Sequence, residues 1–68
     1  MAVSVTINGD TQEIEADLKL AELLRALNIN SGPLAVEVNG EIVPRSEHGN
    51  YRLQANDSIE IVQAIGGG

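Results

Sequence analysis

The chain contains no cysteine, which excludes disulfide staples, thiolate metal sites and cysteine nucleophiles together. A single histidine, His48, excludes a multi-histidine metal centre. Basic residues are scarce: four Lys plus Arg stand against ten Asp plus Glu, for a net charge of −6. A nucleic-acid binder needs a cationic footprint, and an anionic lipid surface attracts basic segments, so neither partner is expected. Phenylalanine and tryptophan are absent, leaving Tyr51 as the one aromatic side chain. Apolar runs are only a few residues long, far short of a membrane span. Met1–Val5 has no basic residue, so no secretory leader is expected and cytoplasmic residence is the default.

What is present is enough for one small domain. The 68 residues are 43% hydrophobic and 21% charged, too apolar for a disordered tail. A domain of this size buries roughly 60% of the surface its unfolded chain exposes, so a deep enclosed active site is not expected. Without staples, the fold must rest on its core. The acidic balance suits partners with basic surfaces.

Alternation over Val3–Ile7 predicts a half-buried strand, and Asn8-Gly9 predicts a type I′ hairpin turn. A second strand over Thr11–Ala16 then returns with Ile14 and Ala16 facing inward. Asp17 is the expected helix N-cap. Leu20, Leu23, Leu24 and Leu27 form one apolar stripe on a helix from about Leu18 to Asn28, with Lys19, Glu22 and Arg25 on the wet face. Asn28, Asn30, Ser31, Gly32 and Pro33 end it. A third strand, Leu34–Val38, meets a second Asn-Gly turn at Asn39-Gly40, then a short strand at Glu41–Val43 that Pro44 stops. A polar connection covers Arg45–Asn50, and Tyr51–Leu53 is a short extended piece. Ala55–Ser58 is a turn cluster, and Ile59–Ile65 is the last strand. One helix and about five strands imply two layers, with the helix packed on one face of the sheet.

Most chemistry can be dismissed. There is no Gly-x-Ser-x-Gly elbow, phosphate-binding loop or dinucleotide fingerprint. Asp10, Glu13, Glu15 and Asp17 read as a solvated edge rather than a cation clamp, since no calcium-loop spacing is present. His48 reads as a surface histidine in a polar loop, and Ser46 and Tyr51 have no activating neighbour in the sequence.

The C-terminus is different. A strand of high β propensity runs into Gly66-Gly67-Gly68 and ends in a carboxylate. Glycine lacks a side chain, so such a tail can enter a slot that any Cβ would block. Three extended residues reach roughly 10 Å. Ordering them costs on the order of 3–6 kcal/mol, so a partner must hold the folded domain elsewhere. A carboxylate is a poor electrophile and needs activation, for which an acyl-phosphate mixed anhydride is the obvious route. A terminal glycine run with no role is the alternative. The expected division is a domain over 1–65 and a glycine tail over 66–68.

A ββαββ chain of this length with these features resembles a ubiquitin-like β-grasp domain. The run Val36-Glu37-Val38-Asn39-Gly40-Glu41-Ile42-Val43-Pro44-Arg45, the run Asn56-Asp57-Ser58-Ile59-Glu60-Ile61-Val62 and the terminal glycines are similar to the ThiS family, the sulfur carriers of thiamine biosynthesis. Asn56 stands where that family usually has glycine, a mild departure because Asn tolerates the left-handed region. The resemblance implies an α+β, β-grasp fold with a mixed sheet of about five strands and one helix on one face. It implies that a ubiquitin-activating-like adenylyltransferase, using ATP and Mg, adenylates the terminal carboxylate. Sulfur from a cysteine desulfurase or related donor then leaves a thiocarboxylate, which thiazole synthase consumes. The domain would be a protein cosubstrate with no cofactor of its own. The acting carboxylate belongs to Gly68, or to Gly67 if one residue is trimmed.

If Ile59 and Ile61 face the core, Glu60 and Val62 face the other way. Val62 and Ile65 are then candidates for an apolar partner contact beside the acidic Glu60. Arg45, in the matched run, suits either a partner contact or a local hydrogen bond. Two other roles fit a Gly-Gly end: the small subunit of molybdopterin synthase, usually longer and more aromatic, or a ubiquitin-like modifier joined to lysines.

Overall fold

The two Asn-Gly pairs turn the chain as their chemistry dictates. The computed structural model describes residues 1–29 and 34–63. Asn8 and Gly9 have φ of 51° and 89°, and Asn39 and Gly40 have 55° and 85°. A type I′ turn needs this left-handed geometry at both central positions. The first turn joins β1 (Ala2–Ile7) to β2 (Asp10–Glu15), with Ala2 opposite Glu15 and Ile7 opposite Asp10. The second joins β3 (Leu34–Val38) to β4 (Glu41–Ile42).

The last strand, β5 (Ser58–Gln63), lies between the two hairpins. It runs parallel to β1, pairing Thr6 with Ser58 and Ile7 with Ile59, and antiparallel to β3 from Val38–Ile59 to Leu34–Gln63. The sheet order is β2-β1-β5-β3-β4, so the sheet is mixed. Helix α1 (Leu20–Ala26) buries Leu20, Leu23 and Leu24. These meet the inward residues Val5, Ile7, Val36, Val38, Val43, Leu53, Ile59 and Ile61 in one core, with Leu27 partly buried against it. This is the expected α+β arrangement.

The start of α1 corrects two expectations. The helix begins at Leu20 rather than Leu18, and Asp17 is not its cap. Asp17 is exposed, with φ of 64°, two residues before the N-cap position Lys19. Carbonyls from a distant loop take the free donors instead: Leu20 N–H donates to Tyr51 C=O at 2.8 Å and Ala21 N–H to His48 C=O at 2.9 Å. The Glu22 carboxylate accepts from Lys19 N–H at 3.1 Å. Leu53 N–H donates to Leu18 C=O at 2.8 Å, and Lys19 bridges to Arg52, so the extended piece at Tyr51–Leu53 is present and pins the helix entry. At the other end Asn28 takes φ of 62°, with Asn28 N–H on Arg25 C=O and Ile29 N–H on Leu24 C=O. That closes the helix as a Schellman motif.

Three further expectations change. Ala16 is exposed, because β2 is an edge strand that ends at Glu15; Ile14 is partly buried as expected. A single 3-10 turn, Arg45–Glu47, replaces part of the polar connection. His48 is not at the surface: it is 6% exposed, and its Nε2–H donates to Val43 C=O at 3.0 Å. A polar ring so placed is tolerable because that bond satisfies its Nε2–H, while the backbone carbonyl of the same residue is taken by Ala21 N–H. The division at residue 65 and the strand positions Ala64 and Ile65 lie outside the described residues.

Candidate functional site

The alternation that buries one face of β5 fixes what the other face shows. Ile59 and Ile61 point into the core, while Glu60 is exposed and Val62 is 64% exposed. Register then places neighbours beside them. Ala35 is opposite Val62, Glu37 is opposite Glu60, and Ile42 on β4 is opposite Glu37. Directly opposed residues of this kind have Cβ atoms about 4.5–5.5 Å apart. Ala35 is exposed and Ile42 is 69% exposed. The open face of the sheet therefore carries an apolar group, Ala35, Ile42 and Val62, around two carboxylates, Glu37 and Glu60. Opposed like charges on adjacent strands are destabilising on their own, and a cation laid between them would remove that repulsion.

Val62 and Glu60 thus lie together as the strand pattern implies. Ala35, Glu37 and Ile42 were not singled out from the sequence, although the inward positions of Val36 and Val38 already assign Ala35 and Glu37 to the opposite face. Ile42 joins them only through the hairpin register. Arg45 does not. It opens the 3-10 turn and lines an open groove of about 280 Å³ with Ala21, Leu24, Arg25, Ile29, His48 and Gly49. That groove belongs to the helix side of the domain. Ile65, Gly66, Gly67 and Gly68 lie outside the described residues.

Beneath this face, two turn asparagines hold β5. Asn39 Oδ1 accepts from Ser58 N–H at 3.0 Å, and its Nδ2 donates to Asp57 Oδ1 at 2.9 Å. Asp57 is itself buried and also accepts from Gln54 N–H at 2.8 Å through Oδ2. Asn56, at φ of 70°, makes the bend that aims this carboxylate inward. Asn8 holds the far end of β5 through Ile61, with Oδ1 accepting from the N–H at 2.8 Å and Nδ2 donating to the C=O at 3.3 Å. These long-range roles were missed, because a turn dipeptide reads identically whether or not its side chain reaches another strand.

Titration adds little to this face. Burial pushes the Tyr51 phenol up from its ordinary value, and the negative charges of Asp57 and Glu41 push it the same way. Asp10, Glu13, Glu15 and Asp17 are all exposed. Among the described residues, no group of three or more acidic or histidine side chains is placed to hold a metal ion. Among them too, no helix is long and apolar enough to cross a membrane. The arrangement leaves an exposed apolar and acidic face on β5 and its neighbours, beside the strand that leads in sequence to the C-terminus.

The model of the ThiS family matches residues 5–68. The chain belongs to the ThiS family. It is 29% identical to the sulfur carrier protein ThiS of Escherichia coli, over 97% of this chain and all of that protein. The crystal structure of the thiamine biosynthesis protein ThiS from Geobacter metallireducens superposes with a TM-score of 0.82 at 29% identity, covering 97% of this chain and 100% of that one. The ThiS family fold is thus the fold of this chain, as the β-grasp expectation required. The thiazole synthase of Paramagnetospirillum magneticum is 38% identical over 97% of this chain, but the match covers 20% of that protein. The chain therefore spans about a fifth of the length of the thiazole synthases that it resembles.

Proposed function

We propose that this chain is a sulfur carrier of thiamine biosynthesis, and that the sulfur rides as a thiocarboxylate on the carboxyl group of Gly68, or of Gly67 after trimming. Membership of the ThiS family supports the reading. The observation that carries it is the placement of β5: it is central in the sheet, paired with β1 and β3, and leads in sequence straight to Gly66-Gly67-Gly68. A rigid strand feeding a segment without side chains suits delivery of a reactive end into a partner's narrow slot.

The chemistry belongs to the partners. A carboxylate oxygen attacks the α-phosphorus of ATP, held with Mg by a ubiquitin-activating-like adenylyltransferase, and pyrophosphate leaves. The terminal persulfide sulfur of a cysteine desulfurase or related donor, brought to the sulfide level by a thiol that ends as a disulfide, then attacks the acyl carbon. The C–S bond forms, the bond to AMP breaks, and a thiocarboxylate remains. Thiazole synthase takes the sulfur, in the cytoplasm. The domain itself is a cosubstrate and not an enzyme. The face formed by Ala35, Ile42, Val62, Glu37 and Glu60 is the docking surface, with a basic residue of the partner between the two carboxylates.

Incubation with the adenylyltransferase, ATP, Mg and a sulfur donor is expected to exchange one oxygen for sulfur at the C-terminus, read by intact mass. An unchanged mass with an active partner overturns the reading. Val62→Asp is expected to block this conversion while leaving the fold intact, since Val62 is exposed; full conversion of that variant would remove the docking face from the proposal.

A further inference from the structure

Strand β1 ends before β5 does. A parallel ladder advances by two residues per rung. Thr6 N–H donates to Asp57 C=O at 3.0 Å, and Asn8 N–H donates to Ile59 C=O at 2.8 Å. The next rung would need an acceptor for Ile61 N–H and a donor for Ile61 C=O. The backbone cannot supply them, because at Asn8 it turns away into the hairpin with φ of 51°.

The Asn8 side chain supplies both. Its Oδ1 accepts from Ile61 N–H at 2.8 Å, and its Nδ2 donates to Ile61 C=O at 3.3 Å. A carboxamide is chemically a peptide group: one acceptor and one donor across a planar unit. It therefore acts as one further peptide of β1, added from the side chain after the backbone has turned away. The orientation of the amide is forced, since the reverse would oppose donor to donor and acceptor to acceptor. The first hairpin thus does two jobs. Its backbone reverses the chain, and its side chain extends the edge that holds β5. Asn8 is an exposed residue, so this grip is separable from core packing.

We propose that Asn8 is a positioning residue for the reactions at the C-terminal carboxylate, fixing the point from which the terminal segment departs. This rests on the carrier function proposed above. With Asn8 in place β5 is held on both edges to Ile61, and residues 62–68 span at most roughly 25 Å of chain beyond it. The last residues of a strand open at low free energy, so loss of one edge shows there first. A partner that must bind the terminal segment in one geometry then meets a smaller competent population. Its apparent affinity for the carrier falls by that fraction. Chemistry after binding is unaffected, so the cost falls on KM and not on kcat.

The test uses the full chain. Asn8→Gly keeps the turn geometry and deletes the amide; Asn8→Asp keeps the acceptor for Ile61 N–H and deletes the donor. In Asn8→Gly, hydrogen exchange at the Ile61 amide is expected to quicken by about three- to tenfold, the net worth of a lost hydrogen bond, with the core amides of Val5 and Val36 unchanged. In adenylation by the partner, measured as pyrophosphate release, KM for the carrier is expected to rise at constant kcat by a smaller factor than exchange does, because KM follows the fraction still held and exchange the fraction open, with Asn8→Asp between wild type and Asn8→Gly. Unchanged Ile61 exchange overturns the clasp. Faster exchange with an unaltered KM overturns the positioning role, as does an equal fall in kcat. A wild-type chain that is never adenylated overturns the carrier function and with it the positioning role, and the exchange data then show the clasp as a feature of the fold alone.

Discussion

The turns at Asn8-Gly9 and Asn39-Gly40 are the same dipeptide in the same backbone conformation, yet they serve opposite ends of one strand. Asn39 grips the entrance of β5 at Ser58 and ties it to the buried carboxylate of Asp57. Asn8 grips the far end at Ile61, through neutral groups only. The entrance is thus fixed through a buried carboxylate, that of Asp57, although Asn39 is itself exposed. The departure point is fixed by two ordinary hydrogen bonds at an exposed residue. A strand anchored through a buried carboxylate where it enters and through an exposed amide near its far end suits the carrier role proposed above.

The largest effect that tests this contrast is Asp57→Ala. It removes a buried carboxylate that accepts from Asn39 and Gln54, and is expected to cost about 3 kcal/mol in urea unfolding, since hydrogen bonds to charged groups contribute roughly 1.5–3 kcal/mol each. A loss under 1 kcal/mol would mean that the entrance is no firmer than the exit. Asn39→Gly keeps the turn but strands one Asp57 oxygen, for an expected loss of about 2 kcal/mol. Alanine at Gly9 or at Gly40 meets nothing within 4 Å, so each pays for left-handed backbone alone, about 1–2 kcal/mol and equal at both turns. Unequal values would trace the asymmetry to the backbones rather than to the side chains. Asn8→Gly should cost about 1 kcal/mol or less globally, with its effect concentrated at Ile61.

The smallest effect is spectroscopic. Tyr51, the sole aromatic, is held neutral above its ordinary range by burial and then by Asp57 and Glu41. A raised folded value means that its contribution to stability is present below the ordinary tyrosine pKa and is lost as pH rises through the raised one. Its ultraviolet titration in the folded chain is expected to lie above that of the unfolded chain. Asp57→Ala should bring the midpoint down part of the way, leaving the effects of burial and of Glu41. Asn8→Gly should leave it in place; a shift there would couple the two ends of β5 after all.

Much of this was legible in the sequence because it is local. Both Asn-Gly turns, the leucine stripe of α1 and the alternation that exposes Glu60 and Val62 follow from side chains within a few positions of one another. What failed was set by distant partners. Asp17 is a good cap in isolation, but the Glu22 carboxylate and the Tyr51 carbonyl occupy the Lys19 and Leu20 N–H groups that it would have taken. His48 looks like a surface residue until Val43 is folded beside it. The Asn8 clasp spans residues 8 to 61, and only the topology brings them together. The exposed apolar and acidic face was half legible: Val62 and Glu60 from β5 alone, Ala35, Glu37 and Ile42 only from its neighbours.

The position of β5 in the sheet has a consequence for assembly in time. The strand that joins the two hairpins comes after both in the chain, so each hairpin must wait for it. A two-stranded unit alone is marginal in water. A chain that ends between Ile42 and Ser58 keeps two ribbons that no strand joins, and is a ready substrate for proteases. The exposed face of Ala35, Glu37, Ile42, Glu60 and Val62 is therefore complete only in molecules in which β5 has been made and seated.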